Sequence, residues 1–533
     1  MKDTLIYNWR ALLKAHIFKA KVNLLVWIGA ISLFIIGVGG AYPALFSDSE
    51  ELIGLVNAMK NPVMVAMFGP VFEIDPPQLA AIFSNQMLLL NMIMVAIMSI
   101  FVTAKMTRGD EEEGMLESLL ALPVGRLSNA VCVMFIVTGM NLIIGGLVGV
   151  GLPFISNESF TFSGTFIFGF ALSSTGILFS AITLLFAQIF ESNRSVMALS
   201  FITLGTMYLL RGGFDVAESV LTLIIPLSWP LYAKPFIENN GILNILTIGF
   251  AFAIILWALR LNYKRDLHAG YIKPRRGKVE ASMVLKTHPG FILKLLTPTI
   301  LAWLITLFIL GVSYGSIFGD LDTFIENNEI FKAMFLSGEY ALNVQFMSII
   351  MMVIAIVSGI GPIMMINHLA GEEKRNHTDI LYSGNLSRQK NLGLYALFAV
   401  IGSIVFLCFG ILGMLSGVMF SMDDPIETYL IVQAGIVYLP ASLLMVSLSI
   451  LLVGISPQKM YLIWIYLGYS FFVVYIGNII NLPSFLQWGS PYGHINQLPV
   501  EPYNILSSML LMVFAFMFTM IGVKAYKTRD ILG

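Results

Sequence analysis

Few residues of this chain have the types and spacing that catalysis requires. Cys132 and Cys408 lie inside apolar runs, with no pairing framework or metal-ligand spacing around them. His368 and His377 lie beside polar segments and are interpreted as solvated loop residues. No apolar run contains a cluster of His, Asp or Glu suited to acid–base or metal chemistry. The sequence therefore predicts no catalytic residue and no metal site.

A nucleotide-binding P-loop is not predicted either. Gly277 and Lys278 form the single Gly-Lys pair, Val279 follows them, and the earlier glycine of the motif is missing. The chain is therefore predicted to hold no cofactor of its own. Energy for any transport would come from a separate subunit or from an ion gradient.

Two polar segments do carry acidic residues in a suggestive pattern. Residues 111–122 are predicted to form a short helix, because acids crowd its first turn and Pro123 stops it. The helix has one apolar stripe, made of Met115, Leu116, Leu119 and Leu120. Such a stripe must be covered by the membrane surface or by a partner protein.

Composition places these segments in a membrane protein. The 533 residues are 57% hydrophobic and 11% charged, whereas a typical soluble domain has about 25% charged residues. Apolar runs of membrane-spanning length recur along the chain, which predicts an all-α polytopic membrane protein and excludes a large soluble domain. Because 30 basic residues balance 31 acidic ones, no nucleic-acid partner is predicted.

Twelve transmembrane helices are predicted, near 22–42, 80–104, 128–152, 162–189, 196–210, 242–260, 296–318, 341–367, 392–420, 429–455, 460–480 and 504–523. With both termini cytoplasmic, all but four of the 30 Lys and Arg lie inside, the exceptions being Lys60, Arg211, Lys234 and Lys332. The positive-inside rule therefore predicts this orientation.

The twelve spans form two parallel six-span repeats, predicted to be related by pseudo-twofold symmetry about the membrane normal. The first copy ends RLNYKRDLHAG (260–270) and the second VKAYKTRDILG (523–533). The first half is 1–262, the second is 291–533, and a basic linker, 263–290, anchors to lipid or docks a partner. At an offset of 262, the segments after the second span of each half match as Glu111 with Glu373, Glu117 with Asp379, Leu119 with Leu381, and Arg126 with Arg388.

Two further hydrophobic stretches are too short or too interrupted to span. The segments 212–240 and 478–503 are predicted to be outer re-entrant hairpins that pack against protein. The alternative is an ordinary loop with aromatic residues at the membrane interface.

The sequence EEEGMLESLLALPVGR resembles the coupling-helix loop of type-2 ABC exporter permeases. The duplicated twelve-span length and the ending Arg265-Asp266-x-x-x-Gly270 resemble a fused-permease group described as exporters of polyketide antibiotics. In that family the loop inserts into a groove on an ATPase subunit. The resemblance implies two copies of an ABC ATPase as partners, with ATP and Mg bound to them.

By position, the resemblance assigns coupling roles within a first loop, 105–127, and a second loop, 369–391. The residues are Glu111, Glu112, Met115, Leu116, Glu117, Leu119 and Arg126 in the first loop, and Glu373, Asp379, Leu381 and Arg388 in the second. The second loop has Asn376, Thr378 and Asn385 where the first has Gly, Leu and Pro, which leaves open whether both loops couple equally. The alternative, a pair of solvated connectors, does not explain the matching acid, Leu and Arg positions.

An ion-coupled secondary multidrug transporter is the rival prediction. Such carriers keep ionisable residues within their spans, and the predicted spans contain essentially none away from their ends. The second and eighth spans are instead rich in methionine, which suits either core packing or an adaptable cavity for hydrophobic substrates. The candidate substrate pathway is Gln86, Asn91, Met94, Met98, Gln345, Met351 and Met352.

The sequence and the resemblance together predict a multi-pass permease subunit in a bacterial cell membrane. It would move hydrophobic or amphiphilic compounds out of the cell, with polyketide or ionophore antibiotics as the implied substrates.

Overall fold

The computed structural model describes residues 5–45, 52–53, 55–56, 59–60, 62–72, 78–155, 158–267, 269–272, 280–320, 342–384, 386–422, 424–477 and 483–529. Regular structure in these ranges is helical, apart from one isolated bridge between Phe190 and Ile272. The predicted all-α class is therefore confirmed. The chain divides into two compact units, Met1–Gly277 and Lys278–Gly533, and the division falls inside the segment predicted as a linker.

The helices of the first unit follow the predicted spans. They are α1 (Trp9–Leu45), α2 (Leu79–Ala104), the short α3 (Met115–Leu120), α4 (Ser128–Ile155), α5 (Phe162–Ile189), α6 (Asn193–Val216) and α7 (Ile242–Lys264). Helix α1 has 37 residues, roughly 55 Å of helix against a hydrocarbon core of about 30 Å. The basic N-terminal stretch is therefore a continuation of the first span.

The second unit contains two interrupted spans. Its helices are α8 (His288–Ser316), α9 (Leu342–Ser358), α10 (Ile360–Lys374), the short α11 (His377–Tyr382), α12 (Arg388–Ser421), α13 (Thr428–Ile436), α14 (Leu439–Ile455), α15 (Tyr461–Phe471) and α16 (Ile505–Thr528). The break between α9 and α10 falls at Gly359, and Pro362 follows without a backbone N–H to donate.

Eleven helices in the described ranges are long and apolar enough to cross a membrane, and they coincide with eleven of the twelve predicted spans. The twelfth prediction, 460–480, contains α15, which continues as a π-helical turn over Phe472–Ile476. Residues 478–480 of that prediction lie outside the described ranges. A polytopic membrane protein is therefore confirmed, whereas the symmetry between its two halves stays a prediction.

The two predicted hairpins consist of short helical segments joined by turns. The first contains Val220–Ile224 and Ser228–Leu231, and the second contains Ser484–Gln487 and Pro491–His494. Residues 478–482, at the start of the second hairpin, and 273–279, in the linker, lie outside the described ranges.

Small residues let the spans pack closely, as in many membrane proteins. In the first unit, α5 is the central helix and packs against α2, α4, α6 and α7. Gly145 of α4 faces Gly169 of α5 so closely that a Cβ on either would overlap the other's carbonyl oxygen. Ser173 adds a hydrogen bond of 2.8 Å to the Asn141 carbonyl at the same crossing.

This crossing gives a test of the packing. Gly145→Ala should lower the midpoint of thermal unfolding, because the methyl group has no space and overpacking costs about 1–3 kcal/mol. Gly146→Ala is the matched control, since a Cβ at Gly146 meets nothing within 4 Å. Thermal unfolding of the purified proteins measures both, and equal midpoints for the two variants would contradict the packing.

Candidate functional site

Both loops fold into a six-residue helix at equivalent positions. Helix α3 spans Met115–Leu120 and α11 spans His377–Tyr382. Their first residues are 262 positions apart, and so are their last residues. Gly114 and Asn376 precede them with φ of +73° and +58°, a left-handed conformation that glycine and asparagine tolerate best. The replacement of Gly by Asn in the second loop therefore keeps the same turn.

The two short helices also share one buried and one exposed side. Leu116 and its counterpart Thr378 are buried, whereas Glu117 and its counterpart Asp379 are exposed. Ile380, next to Asp379, is 76% exposed. Each short helix thus presents an acid to its surroundings.

Glu111 fixes the base of the first loop. Its carboxylate is buried and receives two hydrogen bonds of 2.8 Å from the Arg265 guanidinium, which lies just after α7. Arg108, on the π-helical turn that extends α2, forms a second ion pair with Glu111 at 2.8 Å. Arg108 Nε also donates to the Phe190 carbonyl at 2.8 Å. The first loop is therefore attached to the ends of α5 and α7.

Glu373 forms the corresponding attachment in the second unit. Arg529, just after α16, donates to the buried Glu373 carboxylate at 2.6 Å. Arg388 donates to the Arg529 carbonyl at 2.9 Å, and Arg126 donates to the Arg265 carbonyl in the first unit. The same pair of bonds thus recurs in both units, which supports the predicted sequence repeat.

The described part of the N-terminal segment is bonded to the first loop. The backbone N–H groups of Gly125 and Leu127 donate to the carbonyls of Tyr7 and Leu5, at 3.0 and 2.9 Å. Lys19 of α1 forms an ion pair with Asp110 at 3.3 Å. These contacts join segments more than 90 residues apart, so local sequence patterns do not predict them.

The predicted coupling residues thus separate into two groups. One group bonds within the protein at the bases of the loops and consists of Glu111, Glu373, Arg126 and Arg388. Their partners, Arg265 and Arg529, were not among the predicted site residues. The repeated Arg-Asp ending of the two halves was the available signal for that arginine pair. Residues outside these attachments are exposed (Glu112, Glu117, Asp379), half-buried (Met115, Leu119, Leu381) or buried (Leu116). Glu112 also accepts a 2.7 Å hydrogen bond from Asn193 N.

The candidate pathway residues are buried or half-buried, whereas residues that line an open cavity would be more exposed. Met98, Met351 and Met352 are buried within the hydrophobic cores of their units, and Asn91 is buried with an oxygen that has no hydrogen-bond partner. Gln86, Met94 and Gln345 are half-buried. Core packing accounts for the three buried methionines, so their place in a pathway stays a prediction.

Helix α6 continues beyond the predicted end of the fifth span and there carries two ionisable residues. The predicted span ended at 210, but the helix continues to Val216 and includes Arg211 and Asp215, which form a fully buried ion pair at 2.7 Å. Thr222 and Tyr232 also donate to Asp215, at 2.7 and 3.0 Å. Burial, reinforced by the charge of Asp215, raises the pKa of Tyr232 to about 12, so its hydroxyl stays a donor at neutral pH.

Fold and site together define a polytopic helical membrane protein with two matched loops at the ends of its second spans. Residues 285–527 match the family model described as "Multidrug efflux system permease Rv1217c, C-terminal domain". The chain is 25% identical over 530 residues to the "Multidrug efflux system permease protein Rv1217c" of Mycobacterium tuberculosis. The aligned region covers 98% of this chain and 94% of that protein. Both similarities are to proteins described as multidrug efflux permeases, which supports the resemblance to exporter permeases.

The buried pair in α6 predicts a stability effect. Asp215→Asn leaves Arg211 buried without a counter-charge, and breaking one side of a buried pair costs about 3–5 kcal/mol. We expect a markedly lower midpoint of thermal unfolding for the purified protein. Glu218→Gln is the control, because Glu218 is exposed three residues further on. Equal midpoints for Asp215→Asn and the unmodified protein would contradict a stabilising role for the pair.

Proposed function

We propose that this chain is the membrane-spanning subunit of an ATP-driven exporter, energised by two copies of a separate ATPase subunit that bind ATP and Mg. The near-full-length relative supports an efflux permease, a transport subunit rather than an enzyme. The observation that carries the ATP-driven mechanism is the pair of six-residue helices, α3 and α11. They occupy equivalent positions after the second span of each half and expose an acid at the same place.

The exposed acids of the two short helices suit them for docking to a partner protein. Each short helix rests on its buried side, Leu116 or Thr378, and leaves Glu117 or Asp379 exposed for contact. A partner groove with basic residues would complement those acids, since charge complementarity sets both the rate and the specificity of association. A subunit that moves on ATP binding could then displace the loop and the spans to which the loop is attached.

The substrates proposed are hydrophobic or amphiphilic compounds, with polyketide or ionophore antibiotics as the class that the resemblance suggests. The chain supports apolar substrates through the composition of its spans, in which polar residues such as Gln86 and Gln345 are few. Methionine near them, such as the half-buried Met94, provides adaptable apolar contact.

An ion-coupled carrier is the second candidate, and the buried Asp215 is the observation that favours it. Intramembrane carboxylates often mark proton pathways. However, both oxygens of Asp215 already accept hydrogen bonds within the same unit, one of them from Arg211, which is the arrangement of a structural ion pair. We therefore prefer ATP coupling.

Purification in mild detergent from native membranes separates the two candidates. Two ATPase copies per permease, with ATPase activity stimulated by apolar drugs, are the expected result. A solitary chain, even when neighbouring genes are co-expressed, together with drug efflux that collapses when the proton gradient is removed, would contradict ATP coupling.

A charge reversal on the first loop tests docking. Glu117→Arg should lower drug efflux and drug-stimulated ATPase activity roughly tenfold or more, because placing like charges together at an interface costs several kcal/mol. Membrane abundance should not change, since Glu117 is exposed. Glu280→Arg, a reversal at an exposed linker residue, is the matched control. Efflux that is equally affected, or unaffected, in both variants would argue against docking at α3.

A further inference from the structure

The attachment of each loop to the last span of its unit is made by a buried carboxylate. In the first unit, both oxygens of Glu111 accept from Arg265, whose side chain is 6% exposed. In the second unit, Glu373 accepts from Arg529, whose side chain is 12% exposed. Because Arg265 and Arg529 lie directly after α7 and α16, each bond joins a loop to the end of the sixth span.

The two attachments differ in the residues that make them. The second includes a 2.6 Å hydrogen bond between the hydroxyls of Tyr382 on α11 and Tyr526 on α16, whereas the first includes a second arginine, Arg108. Arg108 pairs with Glu111 and also donates to the Phe190 carbonyl, so it links the first loop to the end of α5. The position equivalent to Arg108, 262 residues on, is Ala370, whose methyl group can make neither bond. Glu373 Oε1 is correspondingly buried without a hydrogen-bond partner.

We propose that Arg265 and Arg529 are positioning residues that fix the two loops to the sixth spans, and that Arg108 makes the first attachment more rigid than the second. The proposal rests on the proposed coupling function, because it describes how movement of a loop reaches the spans. It also gives a physical basis for unequal coupling: the first loop moves together with α5 and α7, whereas the second loop yields more easily.

The physical basis is the cost of separating buried charges. A buried carboxylate with two arginine partners loses more on opening than one with a single arginine, because each charge left without its partner must be solvated again. Contacts of α1 with the first loop add to this difference, through the Lys19–Asp110 ion pair. The corresponding acid of the second loop, Glu372, bonds His377 within the same loop at 2.9 Å, which does not tie the loop to another span.

Hydrogen–deuterium exchange of the purified full-length chain in lipid nanodiscs tests the difference without any ATPase. Backbone amides of α11 should exchange about tenfold faster than those of α3, corresponding to about 1.4 kcal/mol in local opening. Arg108→Ala should bring the exchange of α3 to the level of α11 and leave α11 unchanged. Ala370→Arg should slow exchange in α11.

Controls keep this test specific. Lys105→Ala removes a cation from the same π-helical turn, but its partner Glu113 is exposed, so α3 should be unaffected. If Ala370→Arg does not fold, the proposal is still tested by comparing amide exchange in α3 between Arg108→Ala and the unmodified protein. Equal exchange in α3 and α11 of the unmodified protein, or no response of α3 to Arg108→Ala, would overturn the proposal.

The transport consequence is measured with the ATPase subunit bound. Arg529→Gln should reduce the drug-stimulated part of the ATPase activity about tenfold, and Arg529→Lys should restore most of it because the charge returns. Loss of basal activity and stimulation together, with no recovery in Arg529→Lys, would indicate a merely structural role. Failure of any ATPase to bind the unmodified chain would instead reject the proposed function and leave the exchange result standing.

Discussion

Burial removes a charge from water, so a buried charge of this chain needs a partner within the protein. The buried charges of the two loop bases and of α6 are accordingly paired. Glu111 lies between Arg108 and Arg265, Glu373 accepts from Arg529, and Asp215 accepts from Arg211. Because the bonds of Glu111 to Arg265 and of Glu373 to Arg529 join segments far apart in the sequence, they fix the bases of the loops to the ends of the spans.

The same constraint explains the helix packing. With all backbone groups satisfied inside helices, close approach depends on small residues, and the Gly145–Gly169 crossing brings α4 and α5 almost into backbone contact. A tightly packed set of spans is a rigid support for a loop. A movement imposed on the first loop would therefore reach α5 and α7 through Arg108 and Arg265, without requiring those helices to deform.

The repeat in the sequence is reproduced in the local structure of the loops but not in every contact. Gly114 and Asn376 differ in chemistry and yet adopt the same left-handed turn, so both six-residue helices begin at equivalent positions. Arg108 and Ala370, in contrast, make the two attachments unequal. The two loops thus share their local geometry, whereas the ion pairs at their bases differ.

Span positions and a short helix in the first loop could be predicted from the sequence, because apolar length and turn residues act within a few residues of one another. The predicted bounds of that helix, 111–122, were too wide, since it covers Met115–Leu120 and begins after the left-handed turn at Gly114. The approximate limits of the spans followed from hydropathy, although α6 continued past the predicted end and took Arg211 and Asp215 with it. The sequence predicts that Arg211 lies outside the fifth span, because a charge is costly in a span unless a partner is present.

Only the tertiary structure decided which charges meet. Glu111 and Arg265 are separated by 154 residues, and nothing in the local pattern around Glu111 indicates a buried partner. The sequence therefore determined the class of the protein, its helices and the position of its loops, since these depend on local hydrophobicity and helix signals. The fold determined that the glutamates at the loop bases are structural attachments and that the acids on α3 and α11 are exposed, because burial depends on segments that come together only when the spans pack.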